Sequence, residues 1–184
     1  MRFQVRASSS FISIFFLILL FTTNGCSSIP KKSFPELNTV PYVDIERYLG
    51  KWYEIALYPN WFEKGCFSST ALYERLEHNE IRVTNQCRMY SRDGELNEAV
   101  GRAFIFDKNS NAKLKVQFFW PFKGDYWIVE LDSDYQYAVV SEPGRQYLWI
   151  LSRTPEMDPK ELLVLKEKLK EKGFDLNYLQ YTRH

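Results

Sequence analysis

The stretch Gly50-Lys51-Trp52-Tyr53-Glu54-Ile55-Ala56, answered near the end of the chain by Ile150-Leu151-Ser152-Arg153-Thr154-Pro155, brackets the region that decides the fold. Between the two, short runs rich in aromatic and β-branched residues recur at close spacing with turn residues separating them, which is how an all-β sandwich or barrel reads. The pattern predicts eight strands, near 51–58, 66–76, 80–90, 97–107, 113–120, 125–132, 136–142 and 147–153. Turn signals fall at His78-Asn79, Asp93-Gly94, Asn109-Ser110-Asn111, Lys123-Gly124, Ser133-Asp134 and Pro143-Gly144-Arg145. Connections this short favour antiparallel neighbours.

Eight antiparallel strands can close on themselves, remove both sheet edges and hold one small ligand inside. An open sandwich is the alternative. After the strands, Asp158-Pro159-Lys160-Glu161 combines a cap residue, an N-terminal proline and a reciprocal glutamate. A helix over 159–172 follows, with Leu162, Leu165 and Leu169 on one stripe and Gly173 at its end. That stripe is expected to pack on the outer wall of the sheet.

The opening and closing motifs, with Val43-Asp44-Ile45-Glu46-Arg47-Tyr48-Leu49, Trp61-Phe62-Glu63-Lys64-Gly65, Leu114 to Phe122 and Tyr147 to Arg153, resemble the lipocalin family in its bacterial outer-membrane branch, relatives of apolipoprotein D. The resemblance runs from Tyr42 to the end. It implies an all-β fold, an eight-stranded antiparallel up-and-down barrel with one C-terminal α-helix packed outside, over residues 41–184. One helix after an eight-strand meander fits this family better than a sandwich. The resemblance also implies a barrel floor made of Gly50, Trp52 and Arg153, with the arginine across the indole. A guanidinium on an indole face contributes roughly 0.5–2 kcal/mol.

Residues 1–25 read as an export signal: Arg2 and Arg6 start it, Phe11 to Phe21 is apolar, Gly25 precedes Cys26, and no acidic residue occurs. The apolar stretch is too short to span a membrane, which needs about 20 residues. Cys26 resembles the acceptor cysteine of a bacterial lipoprotein, implying N-terminal acylation and anchoring to outer-membrane lipid, with Ser27 favouring outer-membrane sorting. Thr23 stands where that motif usually has leucine, and ordinary cleavage with a free or paired cysteine is the alternative. Residues 26–40, with Pro30 and Pro35, read as an extended tether.

Loss of Arg2 and Arg6 takes the net charge from +1 to −1. That balance offers no electrostatic case for nucleic acid. The alternating signs of Lys166 to Lys172 read as a solvated helix face. Only two histidines occur, His78 in a predicted turn and His184 at the end, both expected to be exposed bystanders. They assemble neither a metal site nor a Ser-His-Asp triad, and no cofactor is expected. Asp132-Ser133-Asp134-Tyr135 resembles the family's second motif and reads as a structural turn.

Cys66 and Cys87 are expected to bridge, as an even pair in an oxidising compartment. Register argues against it. In a hairpin turning at His78-Asn79, Cys87 faces roughly Thr70, and Cys66 lies about four residues further along at about 3.3 Å each. A bend or bulge at the start of the strand is required.

With Trp52 inward, period-two alternation places Glu54, Ala56 and Tyr58 on the inner face. In the fifth strand Leu114, Val116, Phe118 and Trp120 form the apolar face, opposite Lys113, Lys115, Gln117 and Phe119. In the last strand Leu148 and Ile150 compete with Tyr147, Trp149 and Leu151, and family resemblance selects Trp149. An inward Glu54 needs a partner, for which Tyr58, Tyr126 or a ligand group are candidates. These residues imply a lipid-anchored protein binding a fatty acid or lysophospholipid. A structural envelope lipoprotein with a filled barrel, and a lipid-modifying enzyme using a free thiol at Cys66 or Cys87, are the alternatives. Oligomeric state stays open, a homodimer included.

Overall fold

The computed structural model describes residues 35–184. The predicted signal, Cys26 and the tether as far as residue 34 lie outside the described residues.

The described chain starts beside the 142–147 turn, where Arg145 Nη2 donates to the Pro35 carbonyl at 2.7 Å. It then runs down the sheet's outer surface. Leu37 is buried, and Val40 N donates to Ile128 O at 3.0 Å. The covered domain thus begins before residue 41. At the far end a helical turn, α1 (Ile45–Tyr48), starts where Asp44 Oδ1 accepts from Glu46 N and Arg47 N. That cap satisfies two amide donors otherwise left orphaned.

Eight strands follow: β1 (Gly50–Leu57), β2 (Cys66–Arg75), β3 (Glu80–Met89), β4 (Leu96–Ile105), β5 (Lys113–Phe119), β6 (Phe122–Leu131), β7 (Tyr137–Ser141) and β8 (Leu148–Ser152). Each pairs antiparallel with the next, and β1 pairs with both β2 and β8, so the barrel closes. The helix α2 (Pro159–Glu171) packs outside, and a short β9 (Gln180–Tyr181) joins β1. Neither α1 nor β9 carries a pattern long enough to be read from sequence. The β5–β6 turn sits at Trp120-Pro121, not at Lys123-Gly124, which lies within β6.

Two apolar cores share the barrel wall. Trp52, Tyr73, Ile81, Val83, Ala103, Leu114, Ile128, Val140 and Leu151 fill the inside. Ile55, Ala56, Tyr58, Val129, Val139, Leu148, Ile150, Leu165 and Leu169 pack between wall and helix. Strands β7 and β8 are covered on both faces, so Ala138-Val139-Val140 and Leu148 to Leu151 run apolar without alternating. Leu165 and Leu169 have no exposed surface, and burying each contributes roughly 1.5–3 kcal/mol. Lys168 and Lys172 pair with Glu130 at 3.5 and 3.1 Å across the helix–wall seam.

Candidate functional site

The closed end is built on one cation. The Arg153 guanidinium lies 3.7 Å from the Trp52 ring centroid. It donates to the carbonyls of Arg47 at 2.7 Å, Lys51 at 3.0 Å, Tyr48 at 3.3 Å and Tyr135 at 3.2 Å. Trp52, fully buried, donates from Nε1 to Tyr48 O at 2.8 Å. Gly50 turns the chain there with φ of 95°, a left-handed conformation that a side chain resists. The 132–136 turn is structural: Asp132 Oδ2 accepts from the amides of Asp134 and Gln136, and the Tyr135 hydroxyl accepts from Asp44 N at 2.8 Å.

Above the floor stands a phenol cluster. The Tyr126 hydroxyl lies 2.8 Å from those of both Tyr48 and Tyr73. Burial raises all three pKa values, that of Tyr73 to about 12, so the cluster is neutral and exchanges hydrogen bonds among its own members. Around it the wall includes small groups, Ala71, Ala103 and Gly101, with Val116 on the neighbouring strand paired to Ala103 and Leu114 paired to Tyr126. A Cβ at Gly101 would meet Gln117 O at 2.6 Å and the Phe118 ring at 2.8 Å. The glycine leaves room for that ring. Val116 and Tyr126 face inward and are half-buried, so the inner wall is not packed solid at their level.

At the mouth, three chain segments meet at two carboxyls. Glu54 on β1 is buried, accepts a short hydrogen bond from the Thr182 hydroxyl, and lies against Glu63 of the 58–65 loop. Burial first and the Glu63 carboxylate second push the Glu54 pKa up to about 8, while the Thr182 hydroxyl works the other way. Glu63 Oε2 also accepts from Trp149 Nε1 at 3.1 Å and from Asn60 Nδ2. His184 donates from its ring to Glu54 O at 2.7 Å and sets its edge against Tyr53, so it is a structural contact and not a bystander. Phe62, Tyr147 and Trp149 form an aromatic group beside Glu63, with Tyr147 and Trp149 stacked.

Leu114, Val116, Tyr126 and Trp149 lie on or against the inner core, as does half-buried Phe118. Trp149 and Leu151 face in, while Leu148 and Ile150 face the helix, which resolves the last strand. Three inner placements need correction. Ala56 and Tyr58 lie in the outer core, where Tyr58 donates to Asp175 O at 2.8 Å. The cause is a bulge between Glu54 and Ala56, which turns the alternation over after Glu54. Trp120 is 87% exposed at the β5–β6 hairpin tip, beyond a second register shift between Val116 and Phe119. Nor does Glu54 use Tyr58 or Tyr126 as its partner. Sequence reasoning missed Glu63, Thr182, Tyr48 and Tyr73; of these only Tyr73 carried a signal, two residues from inward Ala71.

Cys66 and Cys87 are bridged, with Cα atoms 5.4 Å apart. Cys66 pairs with Met89 and Thr70 with Gln86, so a bulge at Ser68 and Ser69 supplies the required shift, with Ser68 at φ of 53°. Both thiols that an enzymatic reading needs are thereby taken. Among the described residues no group of three His, Cys, Asp or Glu side chains could hold a metal.

Comparison with known proteins agrees with this geometry. The lipocalin-like domain family matches residues 43–184. The outer membrane lipoprotein Blc of Vibrio cholerae is 40% identical over 173 residues, 93% of this chain and 98% of that protein. Blc of Escherichia coli K12 is 36% identical, over 85% and 87%, and mouse apolipoprotein D 34% identical, over 89% and 88%. Insecticyanin from the tobacco hornworm superposes with a TM-score of 0.64 at 20% identity, over 83% of this chain and 86% of that one, a likeness of fold. The closed eight-stranded barrel, the tryptophan–arginine floor and these relatives together make the chain a member of the lipocalin family.

Proposed function

We propose that the barrel binds the acyl chain of a fatty acid or lysophospholipid in the cell envelope, the protein being held at the outer membrane through acylated Cys26. The observation that carries the reading is the apolar inner wall of Leu114 and Val116 beside the phenol cluster, with Val116 half-buried and the barrel closed below by Trp52. A buried methylene gains about 0.8 kcal/mol, so a chain of ten or more carbons outweighs association costs. The polar head stays at the mouth. The relatives named as outer membrane lipoproteins support the location, and the carrier reading needs no catalytic group.

The test contrasts neighbouring residues on one strand. Val116→Asp sets an unpaired charge against the chain and abolishes binding of a fluorescent fatty acid. Lys115 faces out and pairs with Asp125 at 2.7 Å, so Lys115→Gln, which avoids opposing two acids, leaves affinity unchanged. Equal affinities in folded variants, or no dependence on chain length in the wild type, overturn the acyl pocket and favour an envelope protein without ligand. Intact mass of the membrane fraction tests Cys26, an unmodified cysteine being the refuting result.

A further inference from the structure

The apolar side chains on the surface are not evenly spread. Trp61 and Phe62 on the 58–65 loop, Tyr90 and Leu96 flanking the β3–β4 turn, and Phe119, Trp120 and Phe122 at the β5–β6 hairpin are between 46% and 87% exposed. All three connections lie at the open end, where β1, β3 and β5 finish and β2, β4 and β6 begin. At the closed end the corresponding set is Tyr42 and Phe106. We propose that the aromatic rim of the open end is a membrane-docking surface that enters the headgroup region of a phospholipid leaflet and sets the lumen mouth against the bilayer.

Three observations select a lipid surface over a protein partner. The residues stand on separate connections, six of the seven are aromatic, and rings with an apolar body suit the boundary between hydrocarbon and headgroup. Rim charges are mixed: Lys64, Arg88, Arg92 and Lys123 alternate with Glu63, Asp93, Glu95 and Glu98. Insertion is therefore driven by apolar area and not by attraction to one charge. Finally, the described chain begins at this same end, where Arg145 holds the Pro35 carbonyl. The nine residues from Cys26 to Pro35 reach at most roughly 30 Å, so an acylated Cys26, which rests on the function proposed above, would tether the chain from the side that bears the rim.

The experiment uses residues 27–184 made under oxidising conditions, which keeps every described residue and removes any acyl group. Expected is cosedimentation with phosphatidylcholine vesicles, altered little between about 0.05 and 0.5 M salt. Trp61→Ser/Trp120→Ser binds at least tenfold more weakly, while Tyr42→Ser/Phe106→Ser at the other end binds as the wild type does. Val116→Asp, which blocks the lumen, still docks, so failure of the acyl pocket and failure of docking are read separately. No vesicle binding by the folded protein overturns the proposal, as does binding confined to anionic vesicles and lost in salt. So does a wild-type dimer in sedimentation velocity that Trp61→Ser/Trp120→Ser dissociates, since the rim would then be covered by a second copy.

Discussion

Glu54 makes stability depend on pH in a direction opposite to that of most carboxylates. Its pKa is pushed from 4.5 to about 8 by burial and by Glu63, so the folded protein holds the proton more tightly than the unfolded chain does. Below about pH 4.5 both states are protonated and nothing is lost. As pH climbs, the unfolded chain releases the proton first, and folding stability falls until the folded group also ionises near pH 8. At 1.36 kcal/mol per pH unit the full interval sets a ceiling of about 5 kcal/mol. Glu63 is only half-buried, so solvent screening of its charge reduces the expected loss to about 2–3 kcal/mol. Glu54→Gln keeps an acceptor for Thr182 and offers Glu63 a permanent donor. Guanidinium unfolding of wild type and variant between pH 5 and 9 is the assay. The wild type weakens across that window, the variant stays level, and at pH 8.5 the variant is the more stable by about 2 kcal/mol. Parallel curves would refute the buried carboxyl pair as the source.

Trp52→Ala lowers unfolding free energy by about 3–5 kcal/mol through lost burial, and Arg153→Ala by about 2 kcal/mol; the double variant is less than additive because the two groups touch, which denaturant midpoints decide. Replacing Cys66 and Cys87 by serine costs about 2–4 kcal/mol, and two freely alkylatable thiols in the native protein would remove the bridge. Leu165→Ala releases the helix seam at a cost of about 2–4 kcal/mol, checked by thermal unfolding, while Leu163→Ala on the exposed face changes little.

The strands and the helix were legible because each is a local pattern. Asp158 caps α2 through a 2.7 Å bond from Lys160 N, and Leu165 and Leu169 fall where the period places them. The floor was legible only by family likeness, since nothing in Arg153 itself says that it reaches four carbonyls. Facing failed wherever a bulge occurs. A period-two argument started at Trp52 is correct at Glu54 and inverted at Ala56, because one extra residue at Ile55 reverses everything after it. Trp120 failed because β5 ends at Phe119 and Trp120 already lies in the β5–β6 turn, beyond a second register shift.

The mouth escaped sequence reading for a different reason. It is assembled from a strand, a loop and the last residues of the chain, and no spacing within the sequence links Glu54 to Thr182, 128 residues away. Where β1 and β2 diverge above Tyr53, their backbone groups lose each other as partners and must find others. The C-terminal segment supplies them: β9 pairs with Ala56 and Leu57, Thr182 N donates to Ile55 O, and Ser68 N donates to Arg183 O. The same insertion buries Glu54 and brings His184 onto its carbonyl, so the perturbed carboxyl results from closing the upper barrel with a terminus. Its partner Glu63 sits on the loop that also carries exposed Trp61, and Phe62, whose ring lies against Tyr147 and Trp149. The buried carboxyl pair and the aromatic rim are therefore joined by one short segment, the 58–65 loop.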